Sequence, residues 1–183
     1  MMNAHGQLTV AAAKSITDEM DSKGYDVYYD HGDPSNPFVG TIAVSIEKDL
    51  SSKNQISQLD IAVVGRDVNK NKTIALIEIE ETTDTPKTLI GDVFTTLMGI
   101  SVHLPGRENI AKVGNWTTLI VIGKGAGHED RNQFICDMAN NAKSALGTEI
   151  SKIGSIVITA FSEKKPLKDV LMEQIEKAIQ RSA

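Results

Sequence analysis

A chain of 183 residues is long enough to bury an apolar core without staples, and is expected to form a single domain over 1–183, with a core at about 9–161 and a C-terminal helix at about 167–180. A 40% hydrophobic and 23% charged composition is that of an ordinary soluble domain, while only 4% aromatic residues means a mainly aliphatic core. The net charge of −5 excludes a broad nucleic-acid-coating surface, and the lone Cys136 excludes an internal disulfide or a multi-cysteine zinc site; with no long apolar run and no basic-then-apolar leader, the expectation is a cytoplasmic protein with no membrane partner.

Thr9 to Ser22 reads as a helix, since Val10, Ala13, Ile16 and Met20 recur at helical spacing and Gly24 stops it. Glu19, one turn from Ile16, is a candidate for turning inward to a metal, against the simpler reading of a solvated face. Tyr25 to Tyr29 reads as a short strand, and Phe38 to Ile46 as another. Between them, Asp30, His31 and Asp33 are metal-type residues, but among Gly32, Pro34 and Pro37 they read as turn chemistry.

Residues 55 to 98 carry the most information. Leu59-Asp60-Ile61-Ala62-Val63-Val64 and Thr73 to Glu80 are β-branched runs with period-2 alternation, separated by the turn-type Asn69-Lys70-Asn71-Lys72. Pairing symmetric about Lys70 sets Asp60 opposite Glu80 and diagonal to Glu78, with all three carboxylates on one face. Carboxylates gathered in an apolar hairpin repel one another unless paired, exposed or bound to a cation, and Mg²⁺ is the ion that prefers such oxygen ligands. The competing reading is that the strand ends, Glu80 above all, simply emerge into solvent.

A helix is expected from Pro86 to about Ile100, capped by Asp84 or Thr85, with Lys87 in its first turn. Leu89, Val93, Leu97 and Ile90, Phe94, Met98 give it a wide apolar face. Val102 to Asn115 reads as a loop in which His103, Arg107 and Lys112 are possible phosphate contacts. Trp116 to Ile122 is a strongly apolar strand. Gly123-Lys124-Gly125-Ala126-Gly127 then leads to a helix over about 129–146; it lacks the Gly-Lys-Ser/Thr ending of a phosphate loop and reads as a tight connection. Cys136 in that helix reads as a small buried hydrophobe. Ser155 to Phe161 is a further strand and Leu167 to Ile179 an amphipathic helix. Strands joined through helices after residue 85 are parallel neighbours and the hairpin is antiparallel, so the expected fold is α/β: a mixed central sheet with helices on both faces.

This order of elements, with Asp60 on one strand and Glu78-Ile79-Glu80 on the next, resembles the restriction-endonuclease-like, or PD-(D/E)XK, nuclease superfamily over roughly residues 9–122. Leu59 stands in place of the family's Pro and Glu80 in place of its usual Lys. Some members carry the lysine from the following helix, where this chain has Lys87. The resemblance implies a restriction-endonuclease-like core and a Mg²⁺- or Mn²⁺-dependent nuclease, a hydrolase of phosphodiester bonds. Asp60, Glu78, the Ile79 carbonyl and Glu80 would be the metal ligands, with Glu19 a further candidate, and Asp60, Glu78, Glu80 and Lys87 the catalytic set. Nucleic acid, DNA first, would be the partner, with a homodimer as a further expectation. Two other readings stand beside it: a nuclease-like fold without catalysis that binds DNA or protein, and an unrelated α/β ligand-binding protein using the Gly123–Gly127 turn.

Overall fold

The computed structural model describes residues 6–47, 52–66, 71–81, 86–106, 110–125 and 129–182, with only the backbone of residues 52, 86–89, 129 and 130. Helix α1 (Gln7–Ser22) leads into β1 (Tyr25–Tyr29); then come β2 (Ile42–Ser45), a 3₁₀ turn (Ser52–Asn54), β3 (Gln55–Leu59), β4 (Ile61–Gly65) and β5 (Thr73–Glu80). Helix α2 (Pro86–Leu97), β6 (Ser101–His103), β7 (Ala111–Lys112), β8 (Thr118–Lys124), α3 (Glu129–Ile150), β9 (Ser155–Phe161) and α4 (Leu167–Ser182) complete the order.

Five strands form one sheet in the order β1-β4-β5-β8-β9. β1, β4 and β5 are antiparallel neighbours, and β5, β8 and β9 are parallel. The expected mixed sheet is therefore observed, and the reason lies in the connections: a short turn permits only antiparallel pairing, whereas α2 and α3 provide the crossovers that parallel pairing needs. β5, the junction of the two halves, is buried from Thr73 to Ile77 because it has a strand on each side and helices above and below. Ile61, Val63, Ile77, Ile120 and Ile122 turn to the face covered by α1 and α4, where Ile16, Met20, Leu171 and Ile175 meet them. Ala62, Leu76, Leu119 and Val121 turn to the other face, against Val93 and Leu97 of α2 and Ile135 of α3. Among the described residues no helix is long and apolar enough to cross a membrane.

Four departures from the sequence reading have physical causes. The run Leu59–Val64 is not one strand. It bends at Asp60, where β3 leaves to pair with β2 in a second sheet of order β3-β2-β6-β7 while β4 stays in the main sheet. The expected loop at Val102–Asn115 contains β6 and β7, because Val102, Ala111 and Val113 bury themselves beside Leu97 on the α2 side. The strand expected from Phe38 is confined to Ile42–Ser45, and α2 ends at Leu97, which leaves Met98 39% exposed rather than in the core. The caps proposed at Asp84 and Thr85, and the Lys70 pivot, lie outside the described residues.

Helix α1 begins after Gly6, which offers it no side-chain cap. The role passes to Glu81, just beyond β5, whose Oε1 accepts hydrogen bonds from the Thr9 amide at 2.9 Å and the Thr9 hydroxyl at 2.8 Å. A carboxylate at a helix N-terminus also meets the positive end of the dipole. Glu81→Ala is expected to cost about 1–2 kcal/mol and to lower Tm by roughly 2–8 °C. Glu81→Gln, which keeps the acceptor, should lose less; equal melting of all three proteins would remove this cap from the account.

A candidate acidic metal centre at the sheet corner

The pairing of β4 with β5 decides which carboxylates meet. Ile61 pairs with Ile77 and Val63 with Ala75, and a bulge then shifts the register between Val63 and Val64. One step before Ile61, Asp60 comes level with Glu78, not with Glu80 as symmetric pairing about Lys70 predicts. Nearest the turn Val64 pairs with Thr73, three residues short of the Leu76 that symmetry about Lys70 requires, and the bulge, with Ile74 as its extra residue, restores one, so that Asp60 faces Glu78 rather than Ile77.

Asp60 is held at the corner from both sides. Its own amide donates to the Ile77 carbonyl at 3.2 Å, and its carbonyl accepts from the Asp30 amide at 2.8 Å. Its side-chain Oδ2 accepts from the Ile79 amide at 2.7 Å. In an extended strand the N–H and C=O of one residue leave on the same side, so the Ile79 carbonyl is directed to the Asp60 side too, beyond the last rung with β4. Alternation along β5 sends Ile77 and Ile79 to the α1/α4 face and Glu78 and Glu80 to the α2 face.

Among the described residues, the electrostatics are those of an acidic site short of positive charge. Burial, then Asp60, Asp92 and Glu80, push the Glu78 carboxyl up to about 9. Burial likewise pushes Asp60 up to about 6, helped by Asp30 and Glu81 and opposed by the Ile79 amide and His31. Asp92 of α2 is raised by its own burial and by Glu80. The Glu78 Oε2 atom is shielded from solvent and has no hydrogen-bond partner among the described residues. A buried carboxylate oxygen left in this state is costly, and either a proton or a cation relieves it.

The sequence-predicted residues divide accordingly. Asp60, Glu78 and the Ile79 backbone come together, with Glu80 on the same face one turn of the pleat further on. Glu19 is not part of this group: it is half-exposed, pairs with Lys23 at 2.8 Å, and lies ten residues along α1 from Thr9, about 15 Å from the end that touches Glu81. Lys87 is in the first turn of α2, directly after the segment that leaves β5, and its side chain lies outside the described residues. His103 is buried in β6, 3.5 Å from the Gln55 amide; Lys112 is exposed on β7; Arg107 lies outside the described residues. Cys136 is half-buried, with its thiol 3.7 Å from the Ile156 carbonyl.

Three acidic residues close to the centre escape the sequence reading. Asp30, read there as turn chemistry, acts on Asp60; Asp92 acts on Glu78; Glu81 acts on Asp60 while capping α1. For Asp92 a signal existed, an acid on the otherwise apolar α2 two positions before Phe94. Asp92 also lines a cleft of about 650 Å³ between β3 and α2, together with Gln55, Ser57, Gln58 and Thr95.

Among the described residues, no three His, Cys, Asp or Glu side chains are already gathered as a metal-holding group. The donor chemistry nonetheless fits a hard divalent cation: oxygen ligands only, two of them carboxylates and one a strand carbonyl, with an unpartnered carboxylate oxygen among them. Fold and site together define a mixed α/β protein with an acidic corner at the C-terminal end of its central strand. Comparison with protein families, with curated proteins and with solved structures returns no significant match.

Proposed function

We propose that this protein is a metal-dependent nuclease with a restriction-endonuclease-like core, acting in the cytoplasm on nucleic acid, DNA in the first instance. The observation that carries the reading is the Asp60–Glu78 pair itself: the bent strand and the Ile79 amide hold Asp60 beside a Glu78 whose Oε2 is buried and unpartnered. Purely structural carboxylates at such a corner would be expected to point outward or to pair with a lysine or arginine. Among the described residues, every group that acts on Glu78 instead raises its pKa.

Asp60, Glu78 and the Ile79 carbonyl would hold a divalent cation, which when bound supplies a Lewis acid for the scissile phosphate and a water of lowered pKa. The chain's own residues do the positioning. The Ile79 amide fixes one Asp60 oxygen and leaves the other for a ligand. Glu80, on the same face, orients the attacking water or takes up its proton. The polar cleft between β3 and α2, reached by Asp92, offers Gln55, Ser57 and Gln58 as donors to a nucleic-acid strand. Lys87, in the first turn of α2, supplies the positive charge that a developing phosphate dianion requires.

The deciding experiment is a gel assay of single- and double-stranded DNA and RNA with Mg²⁺ or Mn²⁺ titrated in. Metal-dependent cleavage by the natural protein and its absence in Glu78→Gln are the expected result. No cleavage of any of the four substrates with either metal would count against catalysis and favour a binding module on the same fold. Lys87→Ala separates a catalytic lysine from a solvated one. A loss of cleavage of at least about 100-fold is expected, with the metal-induced rise in Tm retained. Cleavage near the natural rate in that variant would leave Glu80 as the candidate for proton handling and charge stabilisation together.

A further inference from the structure

A second cleft, of about 820 Å³, opens at the other end of the parallel strands, where the chain enters β8 and β9. Glu78 lies five residues along β5 from Thr73, so this end is roughly 15–20 Å from the acidic corner. The kink at Gly147, where φ is 68°, turns the last part of α3 so that Lys143, Ser151 and Lys152 face the loop carrying Trp116. The floor is a close approach of two loops. A Cβ on Gly154 would fall 1.8 Å from the Asn115 carbonyl oxygen, and one on Gly114 would fall 2.5 Å from the Trp116 ring.

The polar groups of this cleft are mismatched to the protein around them. No carboxylate lines it among the described residues. Lys152 donates to the Thr148 carbonyl at 2.6 Å and Lys143 to the Gly154 carbonyl, so each ammonium has a neutral acceptor and donors to spare. Ser151, only 3% exposed, has a buried hydroxyl without a partner, and the Trp116 indole N–H is likewise buried and unpartnered. Lys72 adds a third positive charge, its Nζ 5.2 Å from the Trp116 ring centroid. Ammonium and indole N–H groups can only donate, and two lining cations without a counter-charge select an anion rich in acceptors.

We propose that this cleft binds a small phosphate ester, its phosphate held by Lys143, Lys152 and Ser151 and its body lying against Trp116. Phosphate is the acceptor that matches two ammoniums and a hydroxyl at once. A cleft of about 820 Å³ is much larger than a phosphate ion and falls in the range that holds a ligand the size of a mononucleotide. This assignment is independent of the nuclease reading, since it uses none of the same residues.

Calorimetric titration of the full chain in metal-free buffer at constant ionic strength tests it, with AMP, inorganic phosphate and adenosine as probes. Saturable binding of AMP is expected, with adenosine at least tenfold weaker. Inorganic phosphate should compete with AMP; phosphate binding without AMP binding would overturn the ester assignment. Lys152→Met, at a half-buried position, should weaken the binding at least tenfold with the fold retained by circular dichroism, and Lys152→Arg should restore most of it. Adenosine binding as tightly as AMP, no saturable binding of either AMP or phosphate, or an unchanged affinity in Lys152→Met would each overturn the assignment.

Discussion

We expect Glu78→Gln to melt at a higher temperature than the natural protein at pH 8 in the absence of divalent metal, and the two to converge near pH 4. In the folded chain the Glu78 carboxyl is raised to about 9, against an ordinary value of about 4.3 in an unfolded chain. A raised folded value means that the folded state binds the proton more tightly. The contribution to stability is then fully present below the unfolded pKa and is lost as pH rises through the folded one. The window runs from about pH 4.5 to about 9, and Asp60, raised to about 6, steepens its lower part. Glutamine has the shape of the protonated form and no proton to lose, so the variant escapes the penalty. With the partial exposure of Glu78 discounted, a gain on the order of 2–4 kcal/mol at pH 8 follows, or roughly 5–15 °C in Tm. Thermal unfolding of both proteins from pH 4 to 9 in chelator-treated buffer measures it. Parallel curves, with the same offset at every pH, would falsify the burial of an ionisable Glu78.

Divalent metal should raise the melting temperature of the natural protein alone and so narrow the gap between the two. A cation on Asp60 and Glu78 replaces the proton, so Mg²⁺ or Mn²⁺ stabilises the natural chain and leaves Glu78→Gln and Asp60→Asn almost unmoved. For a Kd of roughly 1 mM, about 10 mM metal adds on the order of 1.4 kcal/mol, which is roughly 3–6 °C for a chain of this size. Because metal must displace a proton from Glu78, the shift should grow between pH 6 and pH 8, and protons should be released on binding. Cleavage should follow the same residues, with a loss of at least about 100-fold in Asp60→Asn and in Glu78→Gln. Asparagine at position 60 keeps an acceptor for the Ile79 amide, so that variant tests the charge rather than the corner. Metal-independent melting of the natural protein at constant ionic strength would rule out the site as drawn, whatever the gels show.

Much of the architecture is legible in the sequence because it rests on local periodicity. Ile16 and Met20 at helical spacing, the β-branched runs at 73–80 and 155–161, and the amphipathic Leu167–Ile179 segment each state their own conformation. Helices between the later strands then require parallel pairing, so the mixed sheet follows from chain order alone. The acidic centre was legible in part. Asp60, Glu78 and Glu80 stand out as charges in apolar strands, and that is a local signal. Which of them meet is not. Register depends on the pairing of Val64 with Thr73 and on a bulge beside it that no residue there announces, and together they set Asp60 opposite Glu78 rather than Glu80.

The break of the 59–64 run was equally hidden. Leu59 and Ile61 are both apolar and both suit a strand, and only the competing partners, β2 on one side and β5 on the other, bend the chain at Asp60 and give that residue its corner. The short strands β6 and β7 take their conformation from the second sheet rather than from their own propensity, so their composition reads as loop. Asp30, Asp92 and Glu81 reach the acidic centre from segments up to about 60 residues apart, as do Trp116, Lys143 and Ser151 in the cationic cleft across about 35 residues. The sequence by itself determined which segments are helix or strand and which strands carry charge, because those are contacts within a turn or a pleat. Tertiary structure alone decided which charges share a site, because pairing partners and helix placement are settled by burial across the whole chain.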